Sequence, residues 1–162
     1  MSSTDFAFPG NDTGFVIQRA GFTTISLNQL FKAALKKIQD ASQRAEIIVR
    51  CESLPDVEGN SQQLSLFFET LLGLILEPSM NTGKLFIYLH CEEDKRYLPG
   101  NNSKTYHIRF HTNLGCDQSW KERTEKSVML CRQILTDHGG SFMVNNINNT
   151  GCLFSIILPG KF

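Results

Sequence analysis

Several features are missing from this sequence, and each absence excludes a class of protein. Basic and acidic residues both number 16, so a formal net charge of +0 gives no basic surface for nucleic acid. The longest apolar runs fall short of the ~18 residues that a membrane-spanning helix requires. Residues Met1–Asp5 lack the basic and then apolar layout of a signal peptide. We therefore expect a cytoplasmic protein that neither inserts into a membrane nor binds nucleic acid.

The cysteines also lack a recognisable pattern. There are five, an odd number, widely scattered and without a Cys-x-x-Cys pair. This argues against a zinc or disulfide framework, so we expect reduced, mostly buried thiols. No internal repeat or low-complexity tract is present, and a hydrophobic content of 41% is ordinary for a globular protein. We interpret residues 1–22 as an N-terminal extension or linker and residues 23–162 as one domain.

Apolar residues at helical spacing predict three helices. The first follows a capping box at Ser26 and Gln29 and continues to about Ile38. The second is the central helix, which we expect to be buried nearly all round and to stop at Pro78. The third follows a run of mixed charge and ends at His138, where Gly139 supplies a left-handed residue. Its apolar stripe consists of Val128, Cys131, Ile134 and Leu135.

Five segments are typical of strands because they are rich in β-branched and aromatic residues between turn-forming sequences. They are residues 46–52, 84–91, 105–112, 141–147 and 152–158, whereas residues 54–60 read as a turn. Helices grouped with these strands predict an α/β, or α+β, two-layer sandwich. The predicted sheet is mixed and five-stranded, and the three helices lie on one of its faces.

The last third of the chain contains a specific succession of motifs. A helix ends at His138-Gly139-Gly140, a strand follows, and a second strand contains Gly151, Phe154 and Leu158-Pro159. This order and spacing resemble the C-terminal end of the histidine-kinase-type ATPase domain of the GHKL or Bergerat family. The resemblance implies a Bergerat-type ATPase fold.

The resemblance extends upstream and covers roughly residues 23–160. Family members carry a Leu-Pro, a Gly-Asp and a spaced Leu before the central helix. This chain has Leu54-Pro55, Gly59-Asn60 and Leu64 at matching intervals.

The residues that bind nucleotide in the family are altered in this chain. In the family an Asn on the central helix holds magnesium, and its position corresponds by spacing to Leu74, with Thr70 at that of a second Asn. Leucine has no oxygen for a hard cation. The Asp that accepts from adenine corresponds to Thr112, and Leu114 stands where the nucleotide needs bare backbone.

The third altered element is the glycine-rich turn that opens the family's last helix and binds phosphate through free amides. Its glycines correspond to Arg123, Glu125 and Ser127, and we interpret the surrounding charge run as a solvated helix start. Losing the adenine acceptor, the magnesium ligand and several phosphate amides removes roughly 4 to 9 kcal/mol of binding free energy. A micromolar ligand would become millimolar or weaker.

The resemblance together with these losses implies a catalytically inactive, histidine-kinase-like regulatory or interaction module in two-component or phosphorelay signalling. We expect no catalytic residue, no metal and no cofactor. Expected partners are signalling proteins such as a response regulator or a kinase, with a homodimer as a further option. None of the four histidines has the setting of a phosphoacceptor, and we interpret His138 as a helix-end residue satisfied by its neighbours.

Two alternatives stay open at the level of sequence. The first is an ATP-binding histidine kinase or ATPase that holds ATP and Mg²⁺ through substitute ligands such as Thr70, Thr112 and Lys126. The second is a pocket lined by Leu74 and Leu114 that takes an apolar small molecule.

Overall fold

The computed structural model describes residues 21–41, 46–76, 84–94, 104–113, 115–147 and 151–160. Most of the predicted extension, residues 1–20, lies outside this part of the chain. The helices and strands in chain order are β1 (Thr23–Ser26), α1 (Leu27–Ala41), β2 (Glu46–Cys51), β3 (Asp56–Gly59), α2 (Ser61–Leu76), β4 (Lys84–Asp94), β5 (Thr105–Thr112), α3 (Gln118–Asp137), β6 (Ser141–Ile147) and β7 (Gly151–Pro159).

The main sheet has five strands in the order β2-β4-β5-β7-β6. Strand β2 pairs with β4 in parallel, and the other neighbours are antiparallel. Strand β7 shows how the sheet divides core from surface, because buried Phe154 and Ile156 alternate with half-buried Ser155 and Ile157. The predicted two-layer α/β sandwich, with a mixed five-stranded sheet and three helices, is confirmed.

A second, two-stranded sheet was not predicted. Strands β1 and β3 pair antiparallel, with Thr23 opposite Gly59. The Glu58 amide donates to the Gly160 carbonyl at 2.9 Å, which ties this small sheet to the end of β7. The prediction of a plain turn at residues 54–60 is therefore wrong, because strands of four residues are too short to show a clear alternation of apolar and polar side chains.

Helices α1 and α2 begin where their caps predict. The Ser26 hydroxyl accepts from the Gln29 amide at 3.2 Å, and the Asn60 side chain accepts from the Gln63 amide at 3.0 Å. Helix α2 buries seven apolar side chains, but Leu66 is 46% exposed, so the expectation of burial nearly all round is wrong for one side of this helix. Among the described residues, no helix is both long and apolar enough to cross a membrane.

Helix α3 starts earlier than the sequence indicated. It begins at Gln118, and the Asp117 carboxylate caps it by accepting from the Trp120 amide at 2.8 Å. The mixed charge run that was interpreted as a helix start lies within this helix instead, and Lys121, Arg123 and Glu125 are exposed on its surface. The interpretation of the run as solvated is confirmed, whereas the predicted start of the helix is wrong.

Aromatic side chains join the helices to the sheet. Phe31 of α1 contacts Phe68 of α2 and Phe110 of β5, with ring centroids 5.9 and 5.5 Å apart. Trp120 of α3 contacts Phe154 of β7 at 6.0 Å. These edge-to-face contacts are favourable for aromatic pairs and place one continuous core between the two layers.

The turn after α3 depends on its glycines. Gly139 has a φ of 76°, which confirms the predicted left-handed residue. A Cβ atom at Gly140 would overlap the backbone carbonyl of Ile157 on β7. The close approach of these two backbones therefore requires glycine at position 140.

Two glycine substitutions should have opposite effects on stability. Gly140→Ala is expected to destabilise the fold by about 2 to 3 kcal/mol, because a backbone atom has to move to admit the methyl group. Gly73→Ala is the matched control, since its Cβ would meet nothing within 4 Å on the exposed side of α2. It should stabilise the fold by about 0.5 to 1 kcal/mol through helix propensity. Urea unfolding measures both changes, and a neutral Gly140→Ala would contradict the packing described here.

Candidate functional site

The position that corresponds to the magnesium-binding Asn is filled by hydrocarbon and covered by an aromatic ring. Leu74 on α2 is 2% exposed, and its backbone carbonyl accepts the indole N–H of Trp120 at 3.2 Å. Carbonyls in the last turn of a helix have no hydrogen-bond donor within the helix. The Trp120 indole supplies the donor that the buried Leu74 carbonyl would otherwise lack. Trp120 is itself only 1% exposed. The indole therefore occupies the junction of α2 and α3.

The position that corresponds to the adenine-binding Asp is also closed. Thr112 at the end of β5 is 2% exposed, and its hydroxyl donates to the Cys152 carbonyl in a long bond of 3.5 Å. Cys152 is disulfide-bonded to Cys116, which directly precedes the cap of α3. The disulfide joins the start of α3 to β7 beside Thr112. The Thr112 hydroxyl is thus a neutral group that already bonds to the main chain.

The remaining predicted positions offer no free ligand for a nucleotide. The Thr70 hydroxyl donates to the Leu66 carbonyl of its own helix at 2.8 Å. Ser127 lies half-buried in the interior of α3. Leu114 lies outside the described residues.

The predicted positions of the glycine-rich turn lie within a helix. Only the amides of the first turn of an α-helix lack a partner within the helix, and in α3 the helical bonds begin with the Lys121 amide, which donates to the Asp117 carbonyl at 3.0 Å. Arg123, Glu125 and Ser127 lie beyond this turn, so their amides bond within the helix. Because α3 begins at Gln118, no glycine-type loop of free amides remains at these positions.

His138 has a structural role at the end of α3. Its side chain is fully buried, with Nδ1 2.8 Å from the Ile134 carbonyl and Nε2 accepting from the Asn60 amide at 3.0 Å. The ring of Phe22 stacks on it with a centroid separation of 4.8 Å. A Cβ atom at Gly59 would lie 2.8 Å from the His138 ring, which explains the glycine there. The interpretation of His138 as a helix-end residue satisfied by its neighbours is confirmed.

This environment favours the neutral imidazole. Burial lowers the pKa of His138 below its ordinary value of 6.5, although the bond to the Ile134 carbonyl and the nearby Asp137 act in the other direction. One ring nitrogen donates and the other accepts, which is the pattern of a neutral ring. Neither nitrogen is free to receive a phosphoryl group.

The cysteines differ from the sequence prediction. The prediction of reduced thiols is wrong for Cys116 and Cys152, which form a disulfide with their Cα atoms 5.7 Å apart. Cys131 is buried, and this burial raises the pKa of its thiol to about 12, so it behaves as core hydrocarbon. Cys51 is exposed and Cys91 is half-buried. Among the described residues, no group of three or more Cys, His, Asp and Glu side chains is placed to hold a metal ion.

Two grooves lie on the described surface, and the larger one is lined by Glu125, a predicted position of the glycine-rich turn. One, of about 610 Å³, runs between α3 and β6, and the other, of about 420 Å³, lies between α1 and α2. Neither is lined by Leu74 or Thr112. Leu74 is 2% exposed, and the predicted apolar pocket at Leu74 and Leu114 stays a prediction because Leu114 lies outside the described residues.

The sequence interpretation missed the contact of Trp120 with Leu74 and the disulfide between Cys116 and Cys152. A signal for Trp120 was present, because Trp120 and Thr124 continue the buried stripe of α3 toward the N-terminus and Asp117 precedes them at cap spacing. The disulfide had no such signal, since its cysteines are 36 residues apart in sequence.

Comparison with solved structures agrees with this architecture. The catalytic domain of the histidine kinase ThkA superposes with a TM-score of 0.61 at 20% identity, covering 86% of this chain and 96% of that chain. A mycobacterial sensor histidine kinase, MprB, gives a TM-score of 0.62 at 15% identity over 86% and 97%. The ATP-binding domain of PrrB from Mycobacterium tuberculosis gives 0.62 at 14% identity over 86% and 98%.

No protein family model and no curated protein sequence matches the chain. The chain has the fold of histidine kinase catalytic ATPase domains.

The buried His138 should make stability depend on pH in a defined window. Its folded-state pKa lies below 6.5, so between the two values the unfolded chain binds more protons than the folded chain. This contribution is fully present above pH 6.5 and decreases as the pH falls toward the folded-state pKa. Urea unfolding between about pH 5 and pH 8 measures the slope.

His138→Gln should remove this histidine contribution to the slope. It should also cost about 1 to 3 kcal/mol at pH 8, because the Asn60 amide loses its acceptor. His111→Gln, a change at an exposed position on β5, is the control and should change the unfolding free energy at pH 8 by less than about 0.5 kcal/mol. A wild-type slope in His138→Gln would contradict the buried neutral ring.

The disulfide should contribute strongly to stability. It closes a loop of 36 residues, for which chain entropy predicts about 3 to 4 kcal/mol. Cys116→Ala and Cys152→Ala should each lower the unfolding free energy by this amount, and the double variant should cost no more than either single variant. Thiol counting by mass spectrometry after denaturation should find three free thiols, whereas five would contradict the pairing.

Proposed function

We propose that this chain is a catalytically inactive histidine-kinase-like domain that acts by binding protein partners in two-component or phosphorelay signalling. The observation that carries the proposal is the bond from the Trp120 indole to the Leu74 carbonyl at the position of the magnesium ligand. An internal aromatic ring at that position leaves a nucleotide no oxygen ligand to share with a metal ion. The fold would then serve as a scaffold for recognition instead of catalysis.

The three altered elements support this proposal together. Leu74 lacks a ligand atom, the Thr112 hydroxyl donates to the main chain, and the amides of α3 bond within the helix. Each missing hydrogen bond to a charged group is worth about 1.5 to 3 kcal/mol, so together they account for the loss of useful affinity. The alternative of an active ATPase is disfavoured, because two of its substitute ligands, Thr70 and Thr112, already bond to backbone carbonyls.

The signalling context comes from the similar solved structures, which are histidine kinases. We extend it to this chain as part of the proposal, with a response regulator or a kinase as the expected partner. A cytoplasmic location is part of the same proposal. A disulfide such as that between Cys116 and Cys152 is unusual in a reducing cytoplasm. It would persist there only if the two sulfur atoms were shielded from reductants. Cys116 is 0% exposed and Cys152 is 1% exposed, so both are shielded.

Nucleotide titration tests the proposal. Isothermal calorimetry with Mg-ATP should show no binding at micromolar concentration, because the expected dissociation constant is about 1 mM or weaker. A histidine kinase catalytic domain that retains its nucleotide motifs should bind under the same conditions and serves as the positive control. A thermal-shift titration provides an independent measurement, in which the melting temperature of this protein should stay constant. Saturable binding in the micromolar range would overturn the proposal.

A further inference from the structure

In the described part of the chain, one face of the five-stranded sheet is left uncovered by the helices. Along β4, β5 and β7, side chains on this open face alternate with buried ones on the helix side. A sheet face in contact with water is normally lined by polar residues. This face instead carries apolar side chains that are exposed or half-buried, namely Ile48, Phe86, Tyr88, Met143, Leu153 and Ile157. Such an apolar area is typical of an interaction surface.

Tyr88 lies in a row of residues that crosses the open face. In the strand register, Arg50 of β2 lies opposite Tyr88 on one side, and His111 of β5 lies opposite it on the other. Leu153 of β7 continues the row beside His111. Tyr88 is 49% exposed, and Arg50 and His111 are exposed as well. An accessible aromatic ring between two basic side chains has the composition of an interface centre, where Tyr and Arg are enriched.

The carboxylates that the structure describes on the open face lie toward its other end, beside the second half of β4. Each of them already has a basic side chain as a partner, so the charges in this half of the face are matched. The pairs are Glu52 with His90 at 2.9 Å, Glu92 with Arg109 at 3.3 Å and Asp94 with His107 at 3.8 Å.

The half of the open face around Tyr88 has a surplus of positive charge. Among the described side chains, no carboxylate lies within ion-pair distance of Arg50 or His111. Lys84, at the start of β4, lies opposite Glu46 in the register, and the Glu46 side chain lies outside the described residues. The surplus therefore belongs to Arg50, next to Tyr88. A carboxylate from another molecule would match it.

We propose that the open face of the sheet is the docking surface for a protein partner that presents carboxylates around an apolar centre. Tyr88 is the apolar anchor, and Arg50 and His111 receive the carboxylates. This inference rests on the proposed role in binding protein partners, and it adds the surface and the chemistry of the partner. A nucleic acid fits this surface less well, because the described face lacks the run of basic residues that follows a phosphate backbone.

Selection of random displayed peptides on the full chain tests the proposal, and the most enriched sequence is then synthesised as the probe. It should combine acidic with apolar residues. Fluorescence anisotropy should give a dissociation constant of about 1 to 100 µM. Tyr88→Ala should raise this constant at least about tenfold, because the anchor is lost. Met129→Ala is the matched control, since Met129 is 60% exposed on α3, and it should leave the constant unchanged.

A charge exchange separates specific pairing from a general loss of affinity. Arg50→Glu should weaken binding of the acidic peptide at least about tenfold, because like charges then face each other. Each acidic residue of the peptide is next changed to lysine in turn. One of these lysine peptides should bind Arg50→Glu to within about threefold of the original wild-type constant. Circular dichroism checks that each variant folds.

The docking surface is refuted if no peptide is enriched, if the enriched peptides are basic, or if Tyr88→Ala and Arg50→Glu bind like the wild type. Tighter binding of a labelled single-stranded RNA than of the acidic peptide would also refute it. So would sedimentation showing that Tyr88 instead mediates contact with a second copy of the chain. These measurements contain no nucleotide triphosphate, so micromolar binding of Mg-ATP, which overturns the inactive domain, is a separate result.

Discussion

The burial of Trp120 is the contact on which the description of this protein depends. Its indole donates to the Leu74 carbonyl and packs against Phe154, so one side chain joins α2, α3 and β7. The helix that carries Trp120 is capped by Asp117, next to the disulfide between Cys116 and Cys152. The start of α3 is therefore held against both α2 and β7.

The motifs that resemble the histidine-kinase-type ATPase domain survive here for structural reasons. Gly59 gives room to the buried ring of His138, and Gly140 allows α3 to turn back against the carbonyl of Ile157. His138 connects the end of α3 to the Asn60 amide at the start of α2. These contacts set the packing of helices on the sheet. They give these motifs a structural role in this chain.

Much of the fold was predictable because its signals are local. The helical stripe of α1, the cap at Ser26 and the glycines after α3 each fix structure within a few residues. The β1 and β3 pairing was missed, since it joins two strands of four residues that are distant in sequence. The start of α3 was missed because Trp120 and Thr124, the first buried residues of the helix, are separated by exposed charged residues.

The candidate site was predictable only by position. The sequence singled out Leu74 and Thr112 as candidate positions, but the contacts around them depend on residues that are distant in sequence. Trp120 reaches Leu74 across 46 residues, and the disulfide spans 36. Neither pairing can be recognised from one sequence. The contact of Trp120 with Leu74 and the disulfide therefore became visible only in the three-dimensional structure.

The most direct test of this account is the indole N–H resonance of Trp120, the single tryptophan of the chain, in a two-dimensional nitrogen–proton spectrum. Because this group is buried and bonded to the Leu74 carbonyl, its proton should exchange slowly with solvent. The resonance should also keep its position when Mg-ATP is added to several millimolar. A fast-exchanging proton, or a saturable shift at micromolar nucleotide, would show that the site opens and would contradict the account.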